Sequence, residues 1–313
     1  MLTIKNLNLG FETEDGFHPA LFDVNFSLEK GKMHALVGES GCGKTMSAMS
    51  IIKLLPKSAR ITSGKILFND ENILDLPEQN MQKIRGAKIA LIPQDPMTSL
   101  NPLFTVGNQL LEVIETHQNI KGDDAYKKAI ESLERVQMPC AETRMTSYPH
   151  ELSGGMKQRA IIAMALATNA EVLIADEPTT ALDVTIQAQI MSLLNEIKPQ
   201  TSILLITHDL ALVSEYADEV SVMYAGRIVE NAPAKDFFRT PNHPSSIAVL
   251  KSVPSENADK LQTLEGQPPT IHQEISGCRF HPRCEHCMDI CKKEVPELKP
   301  IGEKHFSACH LNS

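Results

Sequence analysis

An α/β fold built on a parallel sheet is predicted from three observations. A short apolar run, His34-Ala35-Leu36-Val37, feeds a glycine-rich loop that opens a helix-like segment, Met46 to Leu55. Two further apolar runs, Glu171 to Asp176 and Ile203 to Ile206, end abruptly in polar residues, as strands buried on both faces do when their tips meet solvent. Between them and the loop lies a mostly helical stretch. Its clearest helices are Val106 to His117 and Ala125 to Val136, the latter with Ile130, Leu133 and Val136 at helical spacing.

From the amino terminus, alternation in Phe22, Val24, Phe26 and Leu28 marks a strand with one buried face, and Glu29-Lys30-Gly31-Lys32 turns the chain. The loop that follows, Gly38-Glu39-Ser40-Gly41-Cys42-Gly43-Lys44-Thr45, fits G-x-x-x-x-G-K followed by Ser or Thr, with strand before and helix after. Such a loop wraps phosphates in backbone N–H groups at a positive helix end. Lys44 is placed to reach the β and γ phosphates, and Thr45 to put a hydroxyl on magnesium. Asp176, at the tip of its strand, is the matching magnesium carboxylate, and Glu177 beside it can orient and deprotonate a water. The third strand ends in Thr207-His208-Asp209, at the carboxyl edge where ligands gather in an open parallel sheet. Finally, Leu152-Ser153-Gly154-Gly155-Met156-Lys157-Gln158-Arg159 opens a helix running from Met156 to Ala167. Its hydroxyl and backbone N–H groups would sit at the positive helix end and suit a phosphate.

Composition excludes other classes. A chain of 313 residues can bury the cores of about two ordinary domains. A formal net charge of −9, with no clustered excess of Lys and Arg, argues against general nucleic-acid binding. The longest apolar runs, such as Ile161 to Ala167, stop well short of the roughly 18 residues of a membrane span. Met1-Leu2-Thr3-Ile4-Lys5-Asn6 does not open a secretion signal, so a soluble chain kept in the cytoplasm is expected.

In this order, the segments resemble the nucleotide-binding subunit of an ATP-binding cassette transporter over residues 1 to 235. That resemblance implies a P-loop NTPase cassette: a RecA-like core sheet, an antiparallel β subdomain, and a helical subdomain over about residues 95–155 that carries the signature. It implies ATP and magnesium as ligands. It makes Phe11 the aromatic that stacks on adenine, Gly38 to Thr45 the Walker A loop, and Gln94, in Ile92-Pro93-Gln94-Asp95-Pro96, the Q-loop glutamine near the metal. Asp176 and Glu177 close Walker B, Asp183 matches the D-loop, and His208 matches the switch histidine on the γ phosphate. Ser153 and Gly155 then serve ATP held by a second cassette, a sister or identical chain. The pair would drive two integral membrane permease subunits, fed by an external solute-binding protein.

Residues 236–313 form a loop-rich extension with His243-Pro244, Pro254 and Pro268-Pro269. With Leu264-Glu265-Gly266-Gln267-Pro268-Pro269 and Tyr148-Pro149-His150-Glu151, it is similar to the carboxyl-terminal region of dipeptide and oligopeptide importer ATPases. That subfamily also serves nickel, metal chelates and glutathione; a soluble cassette of DNA repair or the ribosome is the less favoured class, since no coiled-coil insertion or second cassette is present. Two departures stand out: Ser245 where relatives often carry an aromatic, and Cys287 as an additional thiol. Of seven cysteines, five lie in this tail, and a reducing cytoplasm disfavours structural disulfides. By the resemblance, Cys278, Cys284, Cys291 and Cys309 hold a four-iron, four-sulfur cluster. Zinc, with His281, His286, His305 and His310 nearby, and unliganded thiols stay open as alternatives. Cys42 and Cys140 need no redox role, and methionines such as Met156 and Met164 read as core filler.

Overall fold

The computed structural model describes residues 1–180, 182–251 and 266–312. Pro254, Leu264, Glu265 and the D-loop's Ala181 therefore lie outside the described residues. In chain order the elements are β1 (Leu2–Thr13), β2 (Gly16–Leu28), β3 (Met33–Val37), α1 (Lys44–Ile51), β4 (Ala59–Phe68), β5 (Glu71–Asn72), α2 (Glu78–Ile84), β6 (Ile89–Ile92) and α3 (Pro96–Ser99). They continue as α4 (Val106–Gln118), α5 (Asp123–Arg135), α6 (Ala141–Arg144), α7 (Gly154–Ala167), β7 (Val172–Asp176), α8 (Val184–Ile197), β8 (Ser202–Ile206) and α9 (Leu210–Tyr216). The carboxyl-terminal part holds β9 (Glu219–Tyr224), β10 (Arg227–Pro233), α10 (Ala234–Arg239), α11 (Pro244–Lys251), β11 (Lys299–Gly302) and β12 (His305–Ser307). The chain forms two compact units, one from Met1–Leu76 with Ile206–Ser313 and one from Pro77–Leu205.

The first unit contains an antiparallel sheet in the order β2-β1-β4-β5. Its two long strands pair from Leu2 opposite Leu28 to Thr13 opposite Gly16, with register shifts that keep Leu2, Ile4, Leu7 and Leu9 buried. A second run of strands in this unit is ordered β11-β12-β10-β9-β3. There β3 lies parallel to β9, while β9 and β10 form an antiparallel pair. All five residues of β3 are buried, which is why its sequence shows no alternation. Val37, Val220, Val222, Phe237 and Phe280 meet in one apolar core. Phe280 comes from the tail, so the tail is packed into the unit. It also adds strands: β12 pairs with β10 through Ser307 opposite Glu230, and β11 pairs with β12. A reading of this region as loops overlooks those strands because segments of three and four residues are too short to display a period.

The second unit carries β6, β7 and β8 as ordered neighbours, with β6 parallel to β7. Helices α4 and α5 bury Leu110, Ile114, Ala125, Ala129 and Leu133. The face of α5 thus runs through Ala125 and Ala129, and Ile130 lies at its half-buried margin. Similarly, Met156 and Met164 are only half-buried, while Met81, Met145 and Met191 supply the filling. Two helix boundaries also move. Helix α7 begins at Gly154, two residues before Met156, because the Ser153 side chain caps it. Helix α1 stops at Ile51, ahead of Leu55, where Lys53 turns left-handed at φ 52°. The Lys53 ammonium then holds the carbonyls of Leu74 and Leu76, each at 2.9 Å. Among the described residues no helix is long and apolar enough to cross a membrane.

Candidate functional site

In the first unit the glycine loop closes over the start of α1. At φ 151°, Gly38 has no room for a Cβ, which would stand 2.2 Å from the Met223 carbonyl oxygen at the end of β9. Gly43, at φ 110°, would drive one to 2.5 Å from Leu21. Only glycine satisfies both positions. Helix α1 has no side-chain cap, so its first-turn N–H groups remain available for an anion. Lys44 is buried, and its ammonium donates to the Gly38 carbonyl at 2.7 Å and the Glu39 carbonyl at 3.0 Å. The cation is thus held on its own loop, at the mouth of the anion nest. Cys42 is 3% exposed, with Sγ 3.8 Å from the Lys44 nitrogen; burial pushes its thiol pKa up despite that cation. Ser40 and Gly41 are exposed, and Glu39, Gly43 and Thr45 are half-buried.

The same unit holds Phe11 on β1, half-buried and opposite His18 and Ala59. His208 follows β8 and is exposed. It stands between Thr207, whose hydroxyl accepts the Asp209 N–H at 3.0 Å, and Asp209, whose carboxylate caps α9. Those bonds fix the backbone on both sides of the imidazole.

In the second unit, β7 ends in Asp176, 1% exposed. Glu177 follows in a left-handed turn, φ 49°, and its carboxylate accepts the Thr180 hydroxyl at 2.7 Å. Pro178 is held in turn by the Gln158 amide, which donates to its carbonyl at 2.6 Å, so the signature helix α7 braces the segment after the carboxylates. Gln94, after β6, is exposed. The neighbouring Asp95 caps α3 through the N–H of Met97 and the Thr98 hydroxyl, and these bonds lower its carboxyl pKa. Ser153 caps α7 by accepting the Met156 N–H at 3.4 Å. Gly154 has no atom within 4 Å of a notional Cβ, and Gly155 meets only Leu182 at 3.4 Å. Asp183, exposed, caps α8 through the Ile186 N–H at 2.9 Å. Sequence spacing pointed to these residues but not to the capping bonds of Ser153 and Asp183, which rest on backbone geometry.

The tail assembles Cys278, Cys284, Cys291 and Cys309 around one cavity. Burial raises the thiol pKa of three of them, Cys278 to about 11. The histidines do not complete a metal site as expected. His305 pairs with the buried carboxylate of Glu230 at 2.8 Å, His281 Nδ1 meets the Cys278 carbonyl at 3.0 Å, and His310 meets the Glu294 carbonyl at 3.0 Å. Among the described residues no group of three or more His, Cys, Asp or Glu is disposed to hold a metal ion. Zinc is not supported: His305 is taken up by Glu230, His281 and His310 each bond a backbone carbonyl through one ring nitrogen, and His286 lines the cavity. The expectation of an iron–sulfur cluster is reduced to four thiols that share a cavity.

Three features escaped the sequence. Glu230, fully buried, accepts the N–H groups of Asn242 and His243 as well as His305. Ser245, noted only as a departure, bonds His243 Nδ1 through its hydroxyl at 2.7 Å. Arg283 reaches Glu39 in the glycine loop at 2.7 Å. A Glu inside an anion-binding loop was the one available signal for the last.

The sequence matches the ABC transporter family model over residues 21–180 and the model of the oligopeptide/dipeptide transporter C-terminal region over residues 229–291. It is 47% identical to the oligopeptide transport ATP-binding protein OppD of Escherichia coli, covering 99% of this chain and 92% of that protein. To the dipeptide transport ATP-binding protein DppD of Bacillus subtilis it is 45% identical, covering 99% and 94%. Among solved structures it is similar to the dimeric ATP-binding cassette MJ0796 bound to ADP and Pi, with a TM-score of 0.68 at 28% identity over 75% of this chain and 99% of that one. The cassette cbiO1 of Clostridium perfringens gives a TM-score of 0.64 at 30% identity, covering 76% and 90%.

Proposed function

The chain belongs to the ABC transporter ATP-binding proteins of the oligopeptide/dipeptide type, and from that premise we propose that it hydrolyses ATP to drive import of di- or oligopeptides. The observation that carries this reading is the glycine loop: two glycines that no other residue can replace, an uncapped helix start and a buried lysine at its mouth. Such a loop is an anion nest of the kind that grips phosphates.

Lys44 leaves the carbonyls of Gly38 and Glu39 to neutralise the β and γ phosphates, and Phe11 stacks on the adenine. Thr45, Gln94 and Asp176 offer oxygen donors, the chemistry magnesium prefers. Bound there, magnesium neutralises charge on the phosphates. Glu177 takes a proton from the attacking water while His208 contacts the γ phosphate. Ser153, Gly155 and Asp183 face the nucleotide of a second cassette. Support for that role lies in Gly154 and Gly155, which the local packing does not require.

Docking to membrane permease subunits, at the cytoplasmic face, is supported by an apolar loop in the second unit. Met97, Leu103 and Phe104 are 58%, 79% and 50% exposed. The Gln109 side chain pins that loop by accepting the Asn101 N–H at 2.9 Å and donating to the carbonyls of Asn101 and Phe104. Large apolar side chains held rigidly in water mark an interaction surface. Two permease subunits, a second cassette and an external binding protein complete the assembly.

The finer reading of the tail is an iron–sulfur cluster on Cys278, Cys284, Cys291 and Cys309. Its support is the shared cavity and the thiolate preference of such clusters. Iron and acid-labile sulfide should copurify without oxygen; their absence from such a preparation refutes it.

Glu177→Gln should keep ATP binding and lose about two to four orders of magnitude in turnover. Wild-type hydrolysis by the pure variant would remove Glu177 from its role. With the membrane subunits reconstituted, peptide-loaded binding protein should stimulate hydrolysis. Stimulation by nickel chelates instead would reassign the solute.

A further inference from the structure

The glycine loop carries an acid at one of its unspecified positions. Glu39 is the second residue of a loop proposed to receive a triphosphate, and a carboxylate beside phosphates repels them. The tail answers it. Arg283 lies at the end of a single helical turn, His281–Arg283, immediately before Cys284. Its side chain is only 7% exposed and donates to Glu39 Oε2 at 2.7 Å and to the Tyr224 hydroxyl at 3.2 Å. The guanidinium also lies over the Tyr224 ring, 5.8 Å from its centroid. Tyr224 also packs edge-on with Phe280, ring centroids 5.0 Å apart.

These contacts bear directly on the cation that grips the nucleotide. The backbone carbonyl of Glu39 accepts the Lys44 ammonium. Met223, the residue before Tyr224, presents the carbonyl that forces glycine at position 38. The turn after β9 donates the Gly226 N–H to the Cys42 carbonyl at 2.8 Å. The loop therefore rests on the end of β9, and the tail's arginine binds both that strand end and the loop's acid.

We propose that Arg283 is a positioning residue for ATP: by pairing with the Glu39 carboxylate it cancels the loop's own negative charge beside Lys44. This rests on the phosphate-loop reading above. ATP affinity then depends on the tail as well as on the cassette. Because Arg283 adjoins Cys284, the cysteine cavity lies one residue from the ion pair on the loop.

The test is calorimetric titration of the full chain with ATP at two salt concentrations. Arg283→Gln should weaken ATP about tenfold, and more at low salt, since an unpaired carboxylate is then least screened. Adding Glu39→Gln to that variant should restore affinity to within about threefold of wild type. A purely structural role would show no such rescue. If Arg283→Gln does not fold, Glu39→Gln alone decides. It should tighten ATP about threefold, because Arg283 then faces the phosphates uncompensated; weaker binding overturns the proposal. Unchanged affinity in Arg283→Gln, or no rescue in the double variant, overturns it as well. Lys44→Ala separates the two layers. If that variant binds ATP normally, the phosphate-loop reading falls; if it loses ATP while Arg283→Gln binds as wild type, only the ion-pair inference falls.

Discussion

The glycine loop of the first unit and the signature segment of the second both set glycines at the start of a helix, yet the packing around those glycines is opposite. At Gly38 a Cβ would collide with a carbonyl at 2.2 Å, so the fold itself imposes glycine. At Gly154 a Cβ would meet nothing within 4 Å, so the fold is indifferent. Helix α1 starts without a cap and leaves its donors open, whereas α7 is capped by the Ser153 hydroxyl. The first loop is a finished receptor, closed by Lys44 on its own carbonyls. The second exposes Ser153 and holds half-buried Gly154 and Gly155 with room to spare. Local geometry thus distinguishes glycines that the packing requires from glycines that it does not.

Substitutions can break this contrast, beginning with the largest effect. Gly38→Ala must push back the end of β9 in a backbone conformation unsuited to alanine. It should abolish measurable ATP binding and destabilise the fold by about 1–3 kcal/mol; retained ATP binding would show that the loop is more plastic than its contacts allow. Next comes Ser153→Arg, which should leave the variant's own nucleotide affinity intact but cut hydrolysis in the assembled transporter at least ~tenfold. Equal loss of ATP binding in the isolated chain would place the signature at its own loop's nucleotide.

Acid should separate the two units next. His243, 1% exposed, has its pKa lowered to about 4 by burial, and its Nδ1 accepts the Ser245 N–H at 3.1 Å. The folded chain therefore binds this proton more weakly than the unfolded chain does. The contribution of His243 is complete above pH 6.5 and is lost as pH falls from there through about 4, about 3 kcal/mol in all. Hydrogen exchange at pH 5 should open the tail first; earlier opening of α7 would contradict the assignment.

The smallest effects belong to the signature. Ser153→Ala removes a cap whose bond is long, 3.4 Å, and should cost no more than about 1 kcal/mol in chemical denaturation. Gly154→Ala should change stability by less than about 0.5 kcal/mol. A larger loss would mean that its glycine serves the fold after all.

Much of the site was legible because its parts are contiguous. Gly38 to Thr45, Asp176 with Glu177, and His208 follow apolar strands directly, and β3, β7 and β8 are fully buried as those runs imply. The signature's helix was legible too, though its start was not, since a hydroxyl cap is set by backbone angles. In the tail, neighbouring histidines looked like ligands. Yet His305 is spent on Glu230, 75 residues away in sequence, a pairing that neither spacing nor composition encodes.

By itself the sequence determined the chemistry that depends on near neighbours along the chain: a loop for phosphates, carboxylates at a strand tip, and a signature opening a helix. Covalent spacing enforces these wherever the strand and helix form. Only the tertiary structure decided how the tail is used. Its strand β12 joins β10, its Phe280 enters the core, and its Arg283 meets Glu39 across 244 residues of sequence. Such a pairing comes from packing rather than periodicity, because a buried guanidinium and a carboxylate must find each other in space before either can leave water.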